Sequence, residues 1–320
     1  MPFSFNGAFQ NLKDRFDDDD EDPSYEERAT NMIPATVTML SGCKDCQTSA
    51  DVYDVKSFGL PDPAGKAGGA CTSALLKLLY HEEQVPDDDL TYVEVLNGMR
   101  DNLDNDYTQV PQLSSSRPFD LETPFVFAEG IGTRRALLIG INYGGQNGEL
   151  SGCHNDVINI KGYIEKVHGF SEDNMTILMD DAEHEEPTRQ NILKGFAELV
   201  KSCEAGDSVF VHYSGHGGSI KDDDSGEEED GMDECLCPVD YALNGVIRDD
   251  DVYSTLVAGM PGGARVTCLM DCCHSGSILD LPYLYTAGSE ECCLKENEKF
   301  KFGKLFQLLG NLAEDFLDLF

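Results

Sequence analysis

The run Arg134–Ile141 is apolar at successive rather than alternate positions. A strand greasy on both faces must be covered on both, as parallel strands in layered α/β folds are. Two later runs, Asp207–Tyr213 and Arg265–Met270, are also short and β-rich, and the breaker Pro261-Gly-Gly263 precedes the last of them. Between these runs lie Gly152-Cys-His-Asn-Asp156, then a helix through about Val167, a strand at Met175–Met179, and a helix capped by Thr188. That helix carries Ile192, Leu193, Phe196, Leu199 and Val200 on one face. A helix over 250–258 leads into the last strand. The order predicts a mostly parallel sheet flanked by helices on both faces.

Open α/β sheets place their sites at the carboxyl ends of strands. Here two such ends carry chemistry: Ser214-Gly-His-Gly-Gly218 and Asp271-Cys-Cys-His-Ser-Gly276. A thiol beside an imidazole forms a nucleophile pair, in which the base activates sulfur and later protonates a leaving amine. Glycines around His216, together with Gly276, would let backbone N–H groups approach a scissile carbonyl as an oxyanion hole. The order His then Cys, some 57 positions apart, fits the caspase type. His212 and His216 have zincin spacing, but the Glu is missing and the segment is a strand end. No Gly-x-Ser-x-Gly elbow or phosphate-binding loop is present, and Cys43-x-x-Cys46 has no partner pair at zinc-ribbon spacing.

The amino-terminal third reads differently. Residues 1–33, with the run Asp17–Asp20, are expected to be a mobile leader. A strand at 35–40 follows, then helices from about 72 to 81 and 91 to 103, making an α/β unit over 34–128. The tail 286–320 repeats Phe302, Leu305, Phe306, Leu309, Leu312 and Phe316 at three-to-four spacing, an amphipathic helix expected to cover a face of the same protein.

With 60 acidic and 23 basic residues, the net charge is -37. Such a surface repels nucleic acid and anionic membrane and attracts cations and basic peptides. No apolar window is long enough to span a membrane. Neither a secretory nor a transit peptide is legible, and the cysteines suit a reducing compartment, cytoplasmic or nuclear.

The pair Tyr213–Gly218 and Asp271–Ser277 resembles the His and Cys boxes of metacaspases, relatives of caspases. Residues 134–285 resemble the large, p20-like subunit, including Leu150-Ser-Gly-Cys-His-Asn-Asp156. Residues 34–128 resemble the small, p10-like subunit through Ser41–Asp45, Gln47–Asp51 and Gln112–Ser116. Small before large is the arrangement of type III metacaspases. The resemblance implies a caspase-like fold with the two regions in reversed order.

It also implies roles residue by residue: Cys273 as nucleophile, since it precedes His-Ser-Gly, and His216 as general base and acid. Asp156, Ser214 and Asp271 would line an S1 pocket for a basic P1 residue, and Asp233, Asp249, Asp250 and Asp280 would bind Ca2+. The implied function is a calcium-dependent cysteine endopeptidase cutting basic peptide or protein substrates after Arg or Lys, acting as a monomer. It could process itself at exposed basic residues such as Lys221 or Lys295. The alternative is a catalytically silent scaffold of the same fold acting through its terminal segments. Redox gating through Cys268 or Cys272 is a further expectation.

Overall fold

The structure, a computed structural model, describes residues 24–42, 51–52, 68–80, 90–103, 110–128, 130–221, 232–272, 276–289, 292–297, 300 and 302. The helices are α1 (Tyr25–Met32), α2 (Ala70–Leu79), α3 (Tyr92–Leu103), α4 (Cys153–His168), α5 (Arg189–Ser202), α6 (Tyr241–Asn244) and α7 (Asp249–Val252). The last runs on into one π-helical turn, Tyr253–Val257. The strands are β1 (Thr36–Ser41), β2 (Asp51–Val52), β3 (Gly68–Gly69), β4 (Gln112–Ser115), β5 (Arg134–Gly140), β6 (Met175–Met179) and β7 (Ser208–Ser214). After them come β8 (Gly217–Lys221), β9 (Met232–Leu236), β10 (Ile247–Arg248), β11 (Arg265–Asp271), β12 (Tyr283–Thr286) and β13 (Lys295–Glu296).

Eight strands form one sheet in the order β13-β12-β4-β1-β11-β7-β5-β6. The five from β1 to β6 run parallel, as the doubly apolar runs demanded. Helices cover both faces. Along β7, Val209, Val211 and Tyr213 join α1, α5 and the π turn in one core, while Phe210 joins α2, α3 and α4 in the other. A side chain buried as fully as Phe210 contributes about 2–3 kcal/mol.

The boundary at 128–134 does not divide this sheet. β1 pairs with β11, Leu40 facing Leu269, so the amino-terminal region supplies the neighbour of the Asp271 strand. The chain beyond Gly276 then returns as β12 to pair with β4. The expected α/β unit over 34–128 keeps among the described residues only the two-stranded β2-β3 pairing to itself, because β1 and β4 complete the other region's sheet.

The leader expectation fails for residues 24–33. A capping box starts α1: the Ser24 N–H donates to Glu27 at 2.9 Å and the Glu27 N–H donates back to Ser24 Oγ at 3.3 Å. Ala29, Met32 and Ile33 are buried in the core. Buried apolar area outweighs an acidic composition that by itself favours disorder. Residues 1–23 lie outside the described residues, as does the tail from 303. Lys295–Glu296 form a strand rather than helix, and Phe300 and Phe302 pack against the ring of Tyr25. A second sheet, β10-β9-β8, lies beyond the end of β7. Among the described residues no helix is long and apolar enough to cross a membrane.

Candidate active site

Strand register gathers the candidate residues. Asp271, the last residue of β11, pairs with Ser214, the last of β7, and Ser214 pairs with Gly140 of β5. Three strands therefore end level, and the segments that leave them share one rim. The Gly215 N–H donates to the Asp271 carbonyl at 3.4 Å, carrying the pairing one residue further. His216 stands two residues past Ser214, and Cys273 two past Asp271. Residues 273–275 lie outside the described residues.

The imidazole of His216 faces a loop from β5 to α4. Its Nε2 lies 2.6 Å from the Gly148 carbonyl. A carbonyl only accepts, so Nε2 carries the proton and Nδ1 is the atom left with a lone pair. Gly148 has φ +82, and a Cβ there would lie 3.1 Å from Nε2. Only glycine brings its carbonyl this close in that conformation.

Asp156, Ser214 and Asp271 meet beneath this rim, all three buried. Ser214 Oγ donates to Asp156 Oδ2 at 2.6 Å. The Gly69 N–H donates to both Asp156 oxygens at 2.8 Å, and the Thr72 N–H donates to Asp271 Oδ2 at 2.8 Å. Both donors sit at the start of α2. Asp156 thus serves a neighbouring helix, while the amino-terminal cap position of its own helix is Gly152. A Cβ on Gly69 would collide with Asp271 Oδ2 and lie 2.7 Å from Asp156 Oδ2. The α2 backbone can approach both acids only without a side chain at 69.

Behind Asp271 a further shell of contacts continues inward. Thr72 Oγ1 lies 3.2 Å from Nε2 of His212, a histidine fully buried and held neutral, its pKa lowered to about 3 by burial. That histidine is core, which settles the zincin spacing against metal.

The carboxylates of Asp249, Asp250 and Asp280 converge, each offering a ligand oxygen within 4.8 Å of the others. Asp249 accepts the Glu234 N–H at 3.2 Å and the Asp250 N–H at 2.8 Å. Asp280 adopts φ +45, a left-handed conformation that a non-glycine residue holds only when its surroundings impose it. An all-oxygen donor set, two carboxylates from the start of α7 and one from the loop after β11, suits a hard cation such as Ca2+ better than zinc. The fourth expected ligand behaves differently: Asp233, buried on β9, is engaged by the Arg248 guanidinium of β10.

Cys268 and Cys272 are buried thiols outside any disulfide, and burial pushes the Cys268 thiol up to about 12. A thiol so reluctant to ionise and so enclosed is a poor partner for disulfide exchange.

The contacts that hold the site came mostly from residues with no motif of their own. Gly69, Thr72 and Gly148 act through backbone atoms, while Tyr143 and Tyr213 pack around His216. The glycine-rich stretch Tyr143–Gly148 signalled a loop, but nothing in it signalled which strand end it would cover.

Comparison with known proteins adds family context. The family description "Metacaspase, peptidase C14 domain" matches residues 134–282, and "Caspase domain" matches residues 8–121. "Metacaspase III c" of Phaeodactylum tricornutum is 52% identical over 290 residues, 89% of this chain and 86% of its own. "Metacaspase-1" of Sclerotinia sclerotiorum is 49% identical over 164 residues, covering 51% of this chain and 38% of its own. "Metacaspase-1" of Eremothecium gossypii is 47% identical over 172 residues, 53% of this chain and 38% of its own. The chain therefore spans well under half the length of these two fungal relatives. Among solved structures, a Geobacter sulfurreducens protein has a TM-score of 0.37 at 27% identity, over 59% of this chain and 64% of its own.

Proposed function

The chain belongs to the metacaspase family of cysteine peptidases, and from that premise we propose that it is a calcium-dependent endopeptidase cutting after Arg or Lys. The observation that carries the specificity is the meeting of Asp156, Ser214 and Asp271 at the level strand ends beneath His216. Two carboxylates brought together there, held by backbone N–H groups and a hydroxyl, suit a guanidinium or ammonium. The net charge of -37 favours the approach of basic peptides.

In this reading Cys273 Sγ attacks the scissile carbonyl carbon while His216 Nδ1 takes the thiol proton. The same imidazolium then protonates the leaving amine as the acyl–sulfur bond persists. Water, deprotonated by His216, releases the acid and restores the thiol. The Gly148 carbonyl on Nε2 stabilises the imidazolium and holds its ring plane. Bound Ca2+ would offset the mutual repulsion of Asp249, Asp250 and Asp280. Asp280 follows the nucleophile by seven positions, so a cation held there would lie close to it along the chain. Self-cleavage after Lys295 would require β13 to detach, since Lys295 pairs with Leu284.

The test is a P1-scanning peptide assay with calcium and with chelator. Turnover of Arg and Lys peptides, calcium-dependent and abolished by Cys273→Ala but retained in Cys272→Ala, supports the proposal. Equal cleavage after Asp, or full activity of Cys273→Ala, sinks it.

A further inference from the structure

His216 is held by more than the Gly148 carbonyl. The ring of Tyr143 lies against the imidazole, centroids 4.7 Å apart and planes at 35°. Its hydroxyl accepts the His216 backbone N–H at 2.9 Å and donates to the Cys237 carbonyl at 2.6 Å. On the other side Tyr213 donates to the His216 carbonyl at 2.8 Å and reaches the Cys237 carbonyl at 3.1 Å. The Cys237 N–H closes the frame, donating to the His216 carbonyl at 3.1 Å. Both backbone polar groups of the histidine are thus tied to phenols that are themselves buried. Burial holds both hydroxyls protonated far above the ordinary phenol range, so they remain donors at every working pH.

Tyr143 is placed at a conformational cost. Its φ is +53, in the left-handed region that favours glycine or asparagine, and it keeps a bulky side chain there. The neighbouring loop backbone is anchored to make this possible. The Asn142 N–H donates to Asp180 Oδ1 at 2.8 Å, the Leu150 N–H to the Asn142 carbonyl at 2.7 Å, and the Cys153 N–H to Asn142 Oδ1 at 3.0 Å. Asp180 is in turn held by His154 at 2.6 Å.

We infer that Tyr143 is a positioning residue for the peptidase reaction. Its ring face sets the plane of the imidazole, and its hydroxyl fixes the peptide from which the imidazole projects. Tyr213 supplies the matching support on the carbonyl side. An imidazole free to swing would meet the thiol for only part of the time, and small misplacements of a catalytic group are expensive in rate. The inference rests on His216 being the base.

The experiment uses the full chain with calcium and a fluorogenic Arg peptide, rates being normalised to titrated active sites. Tyr143→Phe keeps the ring and removes the hydroxyl; Tyr143→Leu removes both. Tyr241→Phe, at a ring 6.4 Å from Tyr143, is the control. The expected result is a kcat lowered about 10-fold in Tyr143→Phe and further in Tyr143→Leu, with KM within about twofold. Alkylation of Cys273 by iodoacetamide at neutral pH should slow in parallel, and Tyr241→Phe should match the parent. Parent kcat and alkylation rate in Tyr143→Phe overturn the inference, as does a loss explained wholly by fewer titratable sites. His216→Ala separates the two levels. If it is inactive while Tyr143→Phe is normal, the positioning role alone fails; if it stays active, the base assignment fails and the inference with it.

Discussion

Asp271 Oδ2 accepts the backbone N–H of Thr72 at 2.8 Å, so an acid proposed to choose the substrate also caps helix α2. Asp156 does the same for Gly69 just ahead of that helix. The amino end of a helix favours negative charge. The contact that locks the amino-terminal region onto the strand ends therefore also holds both carboxylates in place.

Asp271→Asn should therefore lose two properties together. Replacing a charged cap by an amide is expected to lower stability by about 1–2 kcal/mol. Cleavage after Arg should fall about 100-fold in kcat/KM as the paired charge is lost. Urea unfolding and peptide kinetics on one preparation check both; a change in kinetics with unaltered stability would refute the capping role.

Gly69→Ala is expected to be as harmful as a change at the acids. The added methyl must displace the Asp271 carboxylate or move α2, since it would lie 2.7 Å from both Asp156 Oδ2 and Asp271 Cγ. A stability loss of about 1–3 kcal/mol is expected, with kcat/KM for Arg peptides reduced and the nucleophile still open to alkylation. Parent activity in Gly69→Ala would show that β3 sits elsewhere during turnover.

The four carboxylates assigned to calcium should separate into two groups. Asp250→Asn and Asp280→Asn should abolish the rise in melting temperature on adding calcium, since their oxygens lie in the converging cluster. Asp233→Asn breaks a buried pair with Arg248 and should cost about 3 kcal/mol even in chelator, while retaining the calcium shift. Calorimetry with calcium and with chelator decides; loss of the shift in Asp233→Asn would return that residue to the ligand set.

His168 provides a pH test of the fold. Burial, with Arg134 nearby, lowers its pKa from 6.5 to about 4 while it stacks on Phe127. The unfolded chain takes up the proton first as pH falls, so stability is lost between about 6.5 and 4, by about 1.4 kcal/mol per pH unit. His168→Phe keeps a ring against Phe127 and removes the proton site. Its stability should decline less steeply over that window, read from urea midpoints at several pH values.

The parallel sheet, its flanking helices and the two chemistry-bearing strand ends could be read from residue order, because periodicity and breakers are local properties. Thr188 caps α5 as its type and place required, accepting the Asn191 N–H at 3.2 Å. Local patterns misled where burial depended on distant partners. Residues 24–33 are polar enough to suggest a leader, yet α1 packs under the sheet because Met32 and Ile33 find the core laid down by the later strands.

The strand-end motifs brought forward His216 and Cys273 as candidates, and the resemblance added Asp156, Ser214 and Asp271 and assigned the roles. What it could not supply was which backbone groups face them. Gly69 and Thr72 reach the acids across 87 and 199 positions of chain, and Gly148 reaches His216 across 68. Such contacts carry no side-chain signature, so no residue type announces them. Asp233 and Asp249 look alike as acids of one acidic excursion; only the fold puts Arg248 beside one and Asp280 beside the other. The sequence by itself determined the sheet, the pair of strand ends and the family. The tertiary structure alone decided how the amino-terminal region closes the site, because that depends on the register of β1 against β11, a long-range pairing that local preference does not encode.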